Sequence, residues 1–152
     1  MTDIALARLL HVLAVVVWIG GVAMVTLVVL PAARAAREPG LFEHVEKRFA
    51  AQTRWTLLVA GLSGLYMVER MGLWPRFAEA RFWWMHAMAG LWLVYAMALF
   101  VLEPFVLRAR FADRLERDPD AALARMMRHH WLVLVLSLAT VAGAVAGSHG
   151  LL

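Results

Sequence analysis

Residues 4–30, I-A-L-A-R-L-L-H-V-L-A-V-V-V-W-I-G-G-V-A-M-V-T-L-V-V-L, contain one cation, Arg8, and one imidazole, His11, in an otherwise apolar run. A membrane crossing by an α-helix needs roughly twenty apolar residues, because the bilayer offers no water to satisfy the backbone. This stretch decides the fold class: all-α and integral to a membrane. It starts Met1-Thr2-Asp3, which is not basic, and its apolar block outlasts that of a signal peptide. It is therefore expected to be a retained helix.

Downstream, the apolar blocks recur between Arg-rich stretches. Pro39-Gly40 marks a turn, and Phe42, Val45 and Phe49 then share a helical face, with Glu43 and Lys47 spaced as an i,i+4 pair. The uninterrupted apolar core Trp55 to Val68 is too short to span. Starting that helix near Phe49 restores its length and places Arg54 just inside the membrane, where it can snorkel or face the interior. After a loop centred on Trp74-Pro75, a third helix runs from about Phe82 to Leu107, and the spacing of Leu107, Phe111 and Leu115 carries it beyond the membrane. Asp118-Pro119 has the form of an N-cap followed by proline at the first helical position, so the fourth helix begins there and enters the lipid near Trp131. The expectation is one transmembrane domain over 1–152, a four-helix bundle with spans at about 4–30, 49–68, 82–107 and 131–150. Helices two to four extend on the cytoplasmic side.

Lys and Arg set the orientation. Arg34, Arg37, Lys47, Arg48 and Arg54 fall in the first loop and Arg108, Arg110, Arg114, Arg117, Arg125 and Arg128 in the third. Only Arg8, Arg70, Arg76 and Arg81 fall on the other side. By the positive-inside rule both termini of this multi-pass chain lie outside. The mean hydropathy of +0.71 and 63% hydrophobic residues fit that class. The net charge of +4 reflects cations bordering the apolar blocks, so nucleic acid is not an expected partner and the lipid bilayer is. The absence of cysteine excludes disulfides, thiolate metal sites, iron–sulfur clusters and covalent haem attachment. No phosphate loop, nucleophile elbow or H-E-x-x-H motif is present, so no enzymatic reaction is assigned.

Two histidines stand out. At 1.5 Å per residue, His11 lies roughly 10 Å and His86 roughly 6 Å below the outer ends of helices that run in the same direction. Ionisable residues within spans usually face an interior site, and two imidazoles across a bundle can ligate a b-type haem. Small residues would make the slot: Gly90 one turn below His86, Gly21 on roughly the His11 face, and Gly61, Gly64, Gly143 and Gly147 elsewhere. Arg8 is placed for a haem propionate, as are Arg70 and Arg81, and Trp18 is a packing candidate beside the site. The plainer reading of the glycines is close helix packing. Copper is the competing metal, with Met67, Met85, Met88 and His149 as further ligands, since thioether and imidazole suit Cu(I). His129 and His130 mark the inner entry of helix four as a second candidate site, and Glu103 is expected to reach the interface or pair with Arg54.

L-H-V-L-A-V-V-V-W-I-G-G from Leu10 to Gly21, W-W-M-H-A-M from Trp83 to Met88, and D-P-D-A-A-L-A-R-M-M-R before the last helix resemble the CopD family (copper-resistance protein D) in its small four-helix form. The resemblance runs along nearly the whole chain and implies a bacterial inner-membrane protein linked to copper handling. It carries over His11, Trp18, Gly20, Gly21 and His86. The first helix also resembles HemJ-type haem-binding membrane proteins, although Arg128-His129-His130 stands where they have an N-E-x-P-like segment. Together these give three expectations. The first is a bis-His haem b protein in membrane electron transfer, with a redox partner or quinone. The second is copper binding or transport at the same site, where a transport path would need a homodimer. The third is a cofactor-free structural subunit of a membrane complex.

Overall fold

The computed structural model describes residues 2–36 and 39–150, and among them every regular element is helical. Arg37 and Glu38 lie outside the described residues, as do the side chains of His44 and Arg108. Four long helices follow one another: α1 (Thr2–Ala36), α2 (Pro39–Arg70), α3 (residues 83–117) and α4 (Pro119–Ser148).

The first helix is longer than expected. Pro31 does not end it, because the turn before the proline widens to π geometry over Val25–Val29, and the Leu30 N–H bonds back to the Val25 carbonyl. With the spacing already widened, the helix absorbs the proline and continues as Leu30–Ala36. A second π-helical stretch, Met97–Leu107, contains Pro104 and divides α3 into Trp83–Ala96 and Arg108–Arg117.

Helix ends follow local chemistry. α2 closes in a Schellman motif: Gly72 adopts φ 62°, its N–H reaches Glu69 O, and the Leu73 N–H reaches Val68 O at 2.9 Å. α4 starts as its sequence indicates, with Pro119 in the first turn and the Asp118 carboxylate accepting from the Ala121 N–H at 3.0 Å.

Three helical stretches are long and apolar enough to cross a membrane: Thr2–Ala36, Ala80–Phe105 and Pro119–Ser148. α2 is not among them, since Gln52-Thr53-Arg54 interrupts its apolar run. It nevertheless pairs with α1 along most of its length, while α3 packs mainly on α4. The buried core runs down α1. Near its centre Trp18, Ile19 and Val22 meet Leu57 of α2 and Leu134 of α4, and farther along Val25, Val29, Leu30 and Ala33 meet Leu123. Large apolar side chains such as Leu9, Val16, Leu93, Val94 and Leu132 stand exposed on the outer faces. That inverted pattern suits lipid rather than water.

Candidate functional site

The joint between α1 and α2 is built on backbone carbonyls. His11 uses its Nδ1–H, which the Ala60 carbonyl accepts at 2.8 Å and the Ser63 hydroxyl oxygen shares at 3.3 Å. A carbonyl can only accept, so Nδ1 carries a proton and Nε2 is left as the free nitrogen. The imidazole rests on Gly64, where an added Cβ would come within 3.2 Å of its Cε1. Glycine at 64 is therefore what lets the ring lie against α2.

The other interior glycines are occupied in the same way. Gly21 faces the Phe49 ring, Gly61 the Trp92 indole, Gly143 the Trp83 ring and Gly147 the Trp84 ring, and a Cβ at any of them would overlap that ring. Trp92 is fixed further by donating its Nε1–H to the Leu57 carbonyl at 2.8 Å. Five small surfaces that could have bordered a flat macrocycle instead receive rings of this chain. Gly20 and Gly90 differ, with nothing within 4 Å of an added Cβ.

His86 has different surroundings. It is exposed, its Nε2–H donates to the Phe77 carbonyl of the loop at 2.9 Å, and its ring meets Phe77 edge-on at 5.3 Å. Trp18 of α1 packs against Tyr95 of α3, ring centroids 4.7 Å apart at 88°. Counting back from Tyr95 to His86 at 100° per residue gives a rotation of about 180°. The side of α3 that faces Trp18 is thus the side opposite His86. Trp84 and Met85 are buried, while His86, Gly90, Leu93 and Val94 form an outward face. The structure does not bring His11 and His86 to one slot within the chain. A haem held between them, with Gly21 and Gly90 as its walls, does not fit this arrangement: Gly21 is covered by Phe49, and Gly90 is exposed on the outward face.

The remaining candidates are dispersed. Arg8 is exposed, Met67 and Met88 are half-buried and Met85 is buried. His149 donates Nδ1–H to Val145 O at 2.8 Å. His129 and His130 stand edge to face with centroids 6.2 Å apart, and His130 Nδ1–H is taken by the Met126 carbonyl at 3.0 Å. Among the described residues no group of three or more His, Cys, Asp or Glu is arranged to hold a metal ion. Tyr66 and Arg70 both donate to the Asp3 carboxylate, at 3.0 and 3.1 Å, tying the end of α2 to the start of α1. That carboxylate also raises the Arg70 guanidinium pKa above its ordinary value.

The feature with most chemistry lies deeper. Arg54 of α2 forms an ion pair with Glu103 of α3, whose side chain is buried, and its Nε donates to the Leu99 carbonyl at 3.3 Å. The two contacts have one cause. In π geometry an N–H bonds the carbonyl five residues back, and Pro104, five residues after Leu99, has no N–H to give. Pro104 cannot give the Leu99 carbonyl that bond, and Arg54 donates to it while pairing with the neighbouring acid. Charge in a span is costly unless paired in this way. Sequence spacing suggested the pair with Glu103. The carbonyl contact was hidden because it depends on the π register.

Comparison with known proteins adds a family. The DUF4149 family, described as a domain of unknown function, matches residues 13–114, about two thirds of the chain, and the protein belongs to it. No curated protein and no solved structure matches.

Proposed function

We propose that this DUF4149 protein crosses a bacterial inner membrane four times, with both termini outside, and serves as a membrane-embedded subunit without a haem between His11 and His86. The observation that carries this reading is the filling of Gly21, Gly61, Gly64, Gly143 and Gly147 by rings of the same chain. A bundle closed by its own side chains has no flat slot left at those positions. The passage of α2 through the membrane is supported by its pairing with α1 and by the answer Glu103 gives to Arg54. The outward face of α3 is the one offered to a partner helix, since only 6% of its most apolar window is buried, against 39% for α1.

Two experiments test this. Haem and metal analysis of the detergent-purified protein should find neither haem nor copper in stoichiometric amount. Cysteines introduced at Ala89 or Val94 should cross-link to a neighbouring chain in membranes, whereas Ile19→Cys should not. Stoichiometric cofactor, or no product from either α3 position, would overturn the reading. For orientation, a cysteine at Gly72 should react with an impermeant thiol reagent outside intact cells and one at Asp120 should not; the reverse pattern would invert the topology.

One observation favours a second reading. His11 is oriented by a carbonyl through Nδ1, leaving Nε2 free, which is how metal-ligating imidazoles are commonly held. On that reading His11 supplies one bond to copper or haem iron, and the CopD resemblance gives the copper form its motivation. Cofactor found in the native protein and lost in His11→Ala, but kept in His86→Ala, would select it.

A further inference from the structure

An open groove follows the joint of α1 with α2 in two stretches. The one toward the start of α1 has a volume of about 440 Å³ and includes Asp3, Ser63 and Tyr66. The one farther along has about 240 Å³ and reaches Val17 and Trp55. Leu10 and Val59 line both stretches, so the groove is continuous. Its floor is small: Ala7 and Ala14, two turns apart on α1, are buried. Its walls are large and exposed, with Leu6, Leu10 and Leu13 on α1 and Val59 and Leu62 on α2. Large walls over an alanine floor make a valley that a flexible hydrocarbon chain can follow. A helix, roughly 10–12 Å across with its side chains, spans such a valley without filling it.

The groove changes character along its length. From Leu6 to Val17 the residues that α1 contributes are apolar, over roughly 16 Å at 1.5 Å per residue. That matches the roughly 15 Å of hydrocarbon in one leaflet, half of the bilayer core. At the mouth the charges begin. Asp3 lines the groove and accepts from Tyr66 and from Nη2 of Arg70. The Arg70 side chain is 56% and the Asp3 side chain 38% exposed, so the pair presents both signs at the end of an apolar valley. Through Nη2 Arg70 reaches Asp3, and its planar fork holds further N–H donors in the geometry that suits a phosphate. A tyrosine at that level fits the boundary between headgroups and acyl chains. A purely anionic headgroup would meet the Asp3 carboxylate, and an uncharged one would leave the guanidinium without an anion. A headgroup that carries a phosphate and an ammonium complements both.

We infer that the α1–α2 groove binds one zwitterionic phospholipid of the phosphatidylethanolamine type. One acyl chain lies along Leu10 and Val59, the phosphate meets Arg70, and the ammonium lies toward Asp3. This goes beyond the subunit reading and rests on it only for the passage of α2 through the membrane.

Native mass spectrometry of the detergent-purified protein reads the lipid it retains. The probes are phosphatidylethanolamine, phosphatidylglycerol and diacylglycerol with the same acyl chains. Phosphatidylethanolamine should be retained most. Val59→Trp, which crowds the groove where its two stretches meet, should lower that retention several-fold. Leu132→Trp, on the exposed side of α4, should leave it unchanged. Arg70→Gln should lower retention of phosphatidylethanolamine by about tenfold or more, as expected for one charge-assisted hydrogen bond, and leave diacylglycerol as it was. Equal or greater retention of phosphatidylglycerol or diacylglycerol, or phosphatidylethanolamine unaffected by Arg70→Gln, would overturn the site. Either result would leave the topology, read by cysteine labelling, as it stands. A second protein chain held at the groove in place of lipid, and lost in Val59→Trp, would overturn it as well. Where Val59→Trp does not fold, Arg70→Gln decides alone.

Discussion

The first turns of α1 and α3 invite a symmetrical reading and turn out to be unlike. Each carries a histidine within its first three turns, and each histidine uses one ring nitrogen to donate to a carbonyl. His11 donates across a helix joint to Ala60 and lies in the notch of Gly64; His86 donates to its own preceding loop at Phe77 and stands exposed above an open Gly90. Depth along a helix is therefore only half of a position. Rotation about the axis decides whether a side chain enters the bundle, and here the rotation separates the two imidazoles.

The contrast between closed joints and the open face of α3 orders the expected effects of mutation. The largest belongs to the joint of α2 with α3. Arg54→Ala takes the guanidinium away from the buried Glu103 carboxylate and from the Leu99 carbonyl, a loss expected at about 3–5 kcal/mol. Replacing both Arg54 and Glu103 by apolar residues should recover part of it, measured by melting in detergent. Equal losses in the single and double variants would mean that the charges do not act as a pair.

Next come the glycines. Gly64→Leu drives a side chain into the His11 ring and should cost about 1–3 kcal/mol by overpacking. Gly90→Leu meets open space and should cost little in the isolated chain, although it should reduce cross-linking from α3 in membranes. Similar losses from both would put Gly90 inside a joint. Smaller again is Trp92→Phe, which keeps a ring over Gly61 but removes the donor to Leu57 O. About 1 kcal/mol is expected, and an unchanged melting temperature would show that bond to be idle.

Much of this was legible in the sequence. The apolar blocks mark three helices that suit a membrane, and Asp118-Pro119 marks the start of α4, because length and capping are local properties. The Arg54–Glu103 pair was also within reach, since two opposite charges intruding at the same end of neighbouring helices have few other partners. Rotation was not legible. Gly21 and Gly90 look alike in the sequence, yet one lies under Phe49 and the other is open. Pro31 looks like a helix end, and only the wide turn at Val25–Val29 explains why the helix continues through it. Such features depend on which residues face one another across helices or on the register of a turn, and neither follows from hydrophobic periodicity.

The central claim is that His11 belongs to a closed joint and His86 to an open surface, so that they do not share a cofactor. The most direct measurement is the melting of His11→Ala and His86→Ala beside the native protein, with an optical spectrum of each sample. His11→Ala should lose about 1–3 kcal/mol, because it leaves the notch at Gly64 empty and strips a donor from Ala60 O. His86→Ala, an exposed residue, should fall within about 0.5 kcal/mol of native, with no Soret band in any sample. A Soret band in the native protein that either substitution removes, with equal destabilisation by both, would contradict the account.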